Sequence, residues 1–146
     1  MNKKCIMIAC AFFVAVALQA KVSLPAFFSD GMVMQQQSQA SLWGNASKGK
    51  IVEVTTGWDG QTYTTRADEQ GKWKLTVQTP AAGGPYDITF DDGERTRIKD
   101  ILMGELWICS GQSNMEMPMK GFKNQPVEDA NMDVLRSRNS QIRLFT

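Results

Sequence analysis

The residues best suited to covalent chemistry are in one short run, Gly-Gln-Ser-Asn-Met at positions 111–115. It directly follows residues 101–109, which are apolar almost throughout and predict a strand covered on both faces. A serine at the carboxyl end of a parallel strand lies where α/β folds form their ligand crevice. If Ser113 also begins the next helix, its amide N–H and the helix dipole stabilise negative charge at the same place. The pattern therefore predicts a serine nucleophile whose own amide is an oxyanion donor.

Other interpretations of this run remain open from the local pattern alone. A serine after a strand is also a common helix N-cap. Gln112 and Asn114 flank it and either bind substrate or stabilise the loop itself. Met115 stands where a Gly-x-Ser-x-Gly elbow would have its second glycine, which argues against an ordinary α/β-hydrolase lipase.

The complete absence of histidine limits what this serine can do. A serine hydroxyl needs an adjacent base, usually imidazole, because it is too weakly acidic to ionise at neutral pH. That base cannot be an imidazole of these 146 residues. The same count excludes zinc sites built from histidine, and we predict neither a metal site nor an organic cofactor.

Residues 21–100 have the pattern of a compact antiparallel β-sandwich. Residues 72–77 and 86–90 alternate apolar and polar side chains, as half-buried strands do. Residues 51–56 and 61–65 are rich in β-branched side chains and are separated by a Gly-Trp-Asp-Gly turn, which predicts a hairpin.

The pattern changes in residues 101–146. After the apolar strand 101–109 and the serine loop, helical spacing predicts a helix, and residues 142–145 resemble the start of a second strand. The apolar positions at helical spacing are Val127, Ala130, Val134 and Leu135. One strand, a loop, a helix and part of a strand cannot close a doubly wound sheet. We therefore interpret this part as the truncated start of an α/β domain and the whole chain as mainly β.

A longer run around the serine resembles a known family. Residues 104–116, Gly-Glu-Leu-Trp-Ile-Cys-Ser-Gly-Gln-Ser-Asn-Met-Glu, are similar to the signature of bacterial sialate O-acetylesterases and related carbohydrate acetylesterases. The resemblance extends upstream through residues 24–35, 42–44, 68–73 and 82–86. It implies a β-sandwich that precedes a hydrolase domain of the SGNH or GDSL type, whose first block supplies the nucleophile, here Ser113. In the family, further oxyanion donors and the Asp and His partners come from later blocks, so we expect this N-terminal fragment to be inactive alone.

The first 20 residues predict a secretory signal peptide. A basic start is followed by an apolar run at residues 5–18, too short to span a membrane, and by small residues that allow cleavage after Ala17 or Ala20. We expect export to the periplasm or the cell exterior, with no membrane attachment after cleavage. Loss of Lys3 and Lys4 leaves 14 basic and 15 acidic residues without a basic stripe, so a nucleic-acid partner is not expected.

The predicted substrate is an O-acetylated sugar. Sialic acid is the usual assignment in the family, and acetylated plant glycans are the near alternative. The competing hypothesis is a non-catalytic carbohydrate-binding or accessory β-sandwich. Trp43 and Trp58 could stack on a sugar, but we favour packing roles for both.

We further expect Glu105 at the strand entrance, bound to backbone or water, and Cys109 as a small core residue.

Overall fold

The computed structural model describes residues 21–145, so the predicted signal peptide lies outside the described residues. This part of the chain contains seven strands and two short helices. In chain order they are β1 (Val33–Gln35), β2 (Gln39–Asn45), β3 (Ile51–Thr56), β4 (Thr62–Arg66), β5 (Lys72–Gln78), β6 (Gly83–Asp91), β7 (Arg95–Gly104), α1 (Ser113–Glu116) and α2 (Ala130–Arg136). The expectation of a mainly β chain is confirmed.

The strands form two sheets. Five strands pair in the order β1-β7-β6-β3-β4, and β2 pairs with β5. The β1–β7 pair is parallel, and all other pairs between these strands are antiparallel. The predicted hairpin is present, because β3 and β4 pair from Ile51 opposite Arg66 to Thr55 opposite Thr62.

One apolar core contains side chains from both sheets. Leu42, Trp73 and Val77 of the smaller sheet are in the same buried cluster as Val52, Val54, Ile88, Phe90, Ile98 and Ile101 of the larger sheet. The rings of Trp73 and Phe90 meet across the cluster with centroids 5.8 Å apart. The alternation in β5 and β6 therefore identified correctly which side chains face inward, and the strands predicted at residues 72–77 and 86–90 are confirmed.

The prediction of a buried strand through residues 101–109 is wrong beyond Gly104. Residues 101–104 are the last part of β7, which begins at Arg95 and also crosses the division predicted at residue 100. The ladder ends because Gly104 pairs with the last residue of β1 and Met103 with the first residue of β6. Without a neighbouring strand, the next apolar side chains are exposed: Leu106 by 56%, Trp107 by 84% and Ile108 by 97%.

The helix predicted near residues 127–135 is present as α2, but only Ala130 of this helix is buried. Val134 and Leu135, predicted on its apolar face, are exposed. Residues 142–145 form no strand, contrary to the prediction. The strand, loop, helix and strand of an SGNH-type domain are therefore not assembled within residues 101–145. Neither helix of the described chain is long and apolar enough to cross a membrane.

A buried hydroxyl group fixes the turn between β1 and β2. Thr79 is 2% exposed, and its Oγ1 accepts a hydrogen bond from the N–H of Ser38 at 2.9 Å. The same hydroxyl lies 2.7 Å from the carbonyl oxygen of Gln35 and 2.9 Å from that of Ser38, so its single proton always has an acceptor. The end of β1 is thereby held against the end of β5.

Replacing this hydroxyl with a methyl group tests its contribution. We expect Thr79→Val to lower the free energy of unfolding by about 1–3 kcal/mol, because buried backbone groups of the turn lose a partner. Urea unfolding followed by tryptophan fluorescence measures the change. Thr76→Val, on the exposed face of β5, is the matched control and should stay within about 0.5 kcal/mol of the unmodified chain. Equal stabilities for the two variants would contradict this assignment.

Candidate functional site

Ser113 is the first residue of α1, and Gln112 is its N-cap residue. Ser113 is exposed, so its hydroxyl is not packed inside the protein. The helix has four residues and forms a single turn, in which the N–H of Met117 donates to the carbonyl oxygen of Ser113 at 3.0 Å. The first N–H groups of any helix have no partner within it, so this turn presents amide donors beside Ser113 rather than a long helix dipole.

The other residues predicted for the site contribute less to this geometry. Gln112 is exposed, and its side chain does not cap the helix. The side chain of Asn114 lies outside the described part of the structure. Cys109 is exposed, so the prediction of a core cysteine is wrong, because the strand expected to bury it ends five residues earlier.

Ser113 has no imidazole partner in this sequence. The sequence contains no histidine, and within residues 21–145 no group of three or more His, Cys, Asp or Glu side chains could hold a metal ion. Ser113 is exposed at the first position of α1, and a serine hydroxyl needs an adjacent base to act as a nucleophile.

Glu105 connects the start of the exposed segment to β1. Its two carboxylate oxygens accept hydrogen bonds from Nε2 of Gln35 at 2.9 Å and from Nε2 of Gln36 at 2.7 Å. These two bonds hold the pKa of Glu105 below its ordinary value of 4.5, since they stabilise the charged form. The prediction put Glu105 at the entrance of a strand, bound to backbone or water, but it follows the last residue of β7 and its partners are side-chain amides. We call the side chains of Gln35, Gln36 and Glu105 the Glu105 network.

The sequence analysis did not identify the two glutamines of this network. They belong to a run of three glutamines directly after Met34. Adjacent polar residues at the end of a short strand are ordinary turn composition, so the run by itself does not indicate a partner 70 residues away. Only the parallel pairing of Gln35 with Gly104 brings them to Glu105.

A second contact attaches the end of the described chain to β7. Arg143 donates from Nη2 to Oδ1 of Asp100 at 3.0 Å and from Nη1 to the carbonyl oxygen of Asp100. Asp100, which has a φ of +57°, presents its carbonyl oxygen and its Oδ1 to the same guanidinium group. The stretch that contains Ser113 is therefore held to the end of β1 near its start and to β7 near its end.

A cavity of about 750 Å³ does not include Ser113 in its lining. It lies between the aromatic side chains near the start of the described chain and the segments that contain Leu106 and Phe145. The ring of Trp43 lies 5.2 Å from that of Phe27 and 4.9 Å from that of Phe28, measured between centroids. Trp43 thus packs against neighbouring aromatic rings.

Trp58 also has a packing role. Its Nε1 donates to the carbonyl oxygen of Gln78 at 3.0 Å, and its ring meets that of Tyr86 edge to face at 6.1 Å. These contacts agree with the preference for a packing role over sugar stacking.

Comparisons with known proteins agree with this fold. No family model matches the sequence. The sialate O-acetylesterase of Mus musculus is 30% identical over 112 residues, which cover 70% of this chain. The human sialate O-acetylesterase is 29% identical over 121 residues, or 76% of this chain. The crystal structure of a carbohydrate acetylesterase from Xanthomonas citri superimposes with a TM-score of 0.72 and 32% identity over 83% of this chain. The chain belongs to the sialate O-acetylesterase family.

The chain spans only part of these family members. The matched residues are 21% of the mouse protein, 23% of the human protein and 26% of the bacterial structure. The similarity therefore concerns about a quarter of a sialate O-acetylesterase or less.

The contact between Arg143 and Asp100 leads to a prediction about local order. Arg143→Met keeps the length of the side chain but removes its donors. We expect faster amide hydrogen exchange in residues 141–145, measured by mass spectrometry of peptic peptides. The free energy of unfolding should change by less than about 1 kcal/mol, because ion pairs open to solvent contribute little. Arg138→Met, at an exposed position, is the control. Unchanged exchange in Arg143→Met would mean that this contact does not hold the segment.

Proposed function

We propose that this chain is the N-terminal part of an exported carbohydrate O-acetylesterase in which Ser113 is the nucleophile. The observation that supports this most is the position of Ser113. It is exposed as the first residue of α1, in a fold similar to that of a carbohydrate acetylesterase, inside the run that resembles the family signature. A serine that only capped a helix would accept a hydrogen bond from a helix N–H group with its side-chain oxygen. Here the N-cap residue is Gln112.

The proposed reaction proceeds through an acetyl-enzyme. Oγ of Ser113 attacks the acetyl carbonyl carbon while a base takes the hydroxyl proton, and the sugar oxygen leaves as an alcohol with a proton returned to it. Water then attacks the acetyl group, which releases acetate and restores the serine. The N–H groups of the first turn of α1 stabilise the oxyanion in both steps. Since the sequence has no histidine, the base and its acidic partner belong to a part of the enzyme outside these 146 residues.

The proposed substrate is an O-acetylated sugar, with sialic acid as the first choice. Family members are named for sialate and for carbohydrate esters, which supports this substrate class. Gln112 and Asn114 flank the nucleophile and are proposed to bind the substrate. Export directed by residues 1–20, as a cleaved signal peptide, is part of this proposal.

An accessory carbohydrate-binding module remains the second candidate for these 146 residues by themselves. The absence of histidine favours it, because the isolated chain lacks the usual base for a serine nucleophile. The tryptophans suited to sugar stacking argue against it, since Trp58 is bonded to the backbone of Gln78 and Trp43 packs against Phe27 and Phe28. Glycan-array binding by residues 21–104, which keep β7 whole, would favour the module.

The nucleophile is tested in an extended polypeptide, in which these residues are continued with the remaining part of the Xanthomonas citri relative. We expect acetate release from 4-nitrophenyl acetate and from an O-acetylated sialic acid. Ser113→Ala should lower kcat by several orders of magnitude, on the order of 10⁶ for the nucleophile of a serine triad. The 146-residue chain alone should give negligible hydrolysis.

Ser47→Ala, in the loop after β2, is the matched control and should keep normal activity. Full activity of Ser113→Ala in the extended polypeptide would show that another residue is the nucleophile.

A further inference from the structure

The two glutamines of the Glu105 network have fixed amide orientations. Oε1 of Gln35 accepts a hydrogen bond from the N–H of Leu106 at 3.0 Å, and Oε1 of Gln36 accepts one from the N–H of Ala82 at 2.8 Å. A side-chain amide has one oxygen acceptor and one NH₂ donor. Because each oxygen already faces a backbone N–H, each NH₂ must face the other way, toward Glu105.

This arrangement requires a group at position 105 that accepts at both of its oxygens. A carboxylate does so, with accepted bonds of 2.9 and 2.7 Å. A protonated carboxyl or an amide would place a donor against one of the two NH₂ groups. Turning the side-chain amide of Gln35 or Gln36 around would not remove the clash between two donors. The N–H of Leu106 or of Ala82 would then lose its acceptor and face an NH₂ group. The network is complete only when Glu105 is charged.

The partners of Glu105 are all neutral. They are the side chains at the end of β1, and no other charged group in the described chain contributes to lowering the pKa of Glu105. The backbone around the network is also held, because the N–H of Gln36 donates to the carbonyl oxygen of Gly104 at 2.8 Å and Thr79 fixes the carbonyl of Gln35. Glu105 and Leu106 are therefore attached to a rigid part of the sheet.

The segment after Leu106 depends on such attachments. Residues 107–112 are exposed, belong to no strand or helix, and lead directly to Ser113. The direction in which this segment leaves the sheet is set at residues 105 and 106, where the hydrogen bonds to Gln35 and Gln36 are made.

We propose that Glu105 is a positioning residue for the nucleophile: its charged carboxylate orients Gln35 and Gln36 and thereby fixes the start of the segment that presents Ser113. The effect of Glu105 on catalysis rests on the proposed role of Ser113 as the nucleophile. The acceptor requirement at position 105 is independent of that role and is tested separately.

The first experiment is amide hydrogen exchange by NMR on the 146-residue chain. Glu105→Gln keeps the shape of the side chain but brings a donor into the network. We expect the N–H of Leu106, of Ala82 or of both to exchange about two- to tenfold faster, the change that one hydrogen bond of ordinary net strength produces. Glu128→Gln removes an exposed carboxylate elsewhere and should leave both amides unchanged.

A double variant, Gln36→Glu with Glu105→Gln, tests the donor and acceptor pattern itself. The new carboxylate at position 36 accepts hydrogen bonds from the N–H of Ala82 and from the NH₂ group of the new amide at position 105. The oxygen of that amide accepts a hydrogen bond from the NH₂ group of Gln35. Every donor again has an acceptor, so we expect exchange at Leu106 and Ala82 to return to the original rates. Failure of the double variant to restore protection, or unchanged rates in Glu105→Gln alone, would overturn the inference.

The network also predicts a pH dependence. Because the pKa of Glu105 is lowered in the folded chain, the network is complete above its ordinary pKa of 4.5 and is lost as the pH falls through the lowered value. The ¹H and ¹⁵N shifts of Leu106 and Ala82 should change together with a midpoint below 4.5, and this step should vanish in Glu105→Gln. A midpoint at or above 4.5 would contradict the stabilisation of the charged form.

Kinetics in the extended polypeptide separate positioning from a purely structural role. We expect Glu105→Gln to lower kcat about ten- to a hundredfold with little change in KM, because small displacements of a nucleophile are costly. The double variant should recover kcat. If Glu105→Gln speeds amide exchange but leaves kcat unchanged, the hydrogen-bond network is supported and its role in positioning Ser113 is overturned. Activity that survives Ser113→Ala would instead contradict the proposed nucleophile, whatever the exchange data give.

Discussion

The pairing of β7 with two neighbours is the constraint on which the rest of the structure depends. This strand lies between β1, to which it runs parallel, and β6, to which it runs antiparallel. Its inward side chains Ile98, Ile101 and Met103 join the core that both sheets share. The last pair of the ladder, Gln35 opposite Gly104, determines where the chain leaves the sheet and hence where the exposed segment toward Ser113 begins.

The polar groups at this exit are arranged around that last pair. Thr79 holds the carbonyl of Gln35 from inside the protein, while Gln35 and Gln36 meet Glu105 on the outside. Hydrogen bonds open to water are individually weak. Here each glutamine amide is bonded through both its oxygen and its NH₂ group, so the three side chains restrict one another's orientation. The result is a defined starting point for a segment that has no ladder of its own.

The region around Ser113 has few contacts compared with the sheets. In the described chain, only Ala130 of α2 is buried, and Leu106, Trp107 and Ile108 face solvent. Exposed apolar side chains in that number set this region apart from the packed sheets. The chain belongs to the sialate O-acetylesterase family and spans about a fifth to a quarter of the length of the members it matches.

The sequence by itself determined the strands with clear alternation, the β3–β4 hairpin and the helix near residue 130. Period and turn composition are local properties, so they can be recognised without knowing any partner. Only the tertiary structure decided that β7 stops at Gly104 and that Glu105 meets two glutamines 70 and 69 residues away. An apolar run looks the same whether or not a neighbouring strand is present to cover it, and strand pairing over long sequence separations leaves no local pattern. The buried strand expected through Cys109 was wrong for that reason.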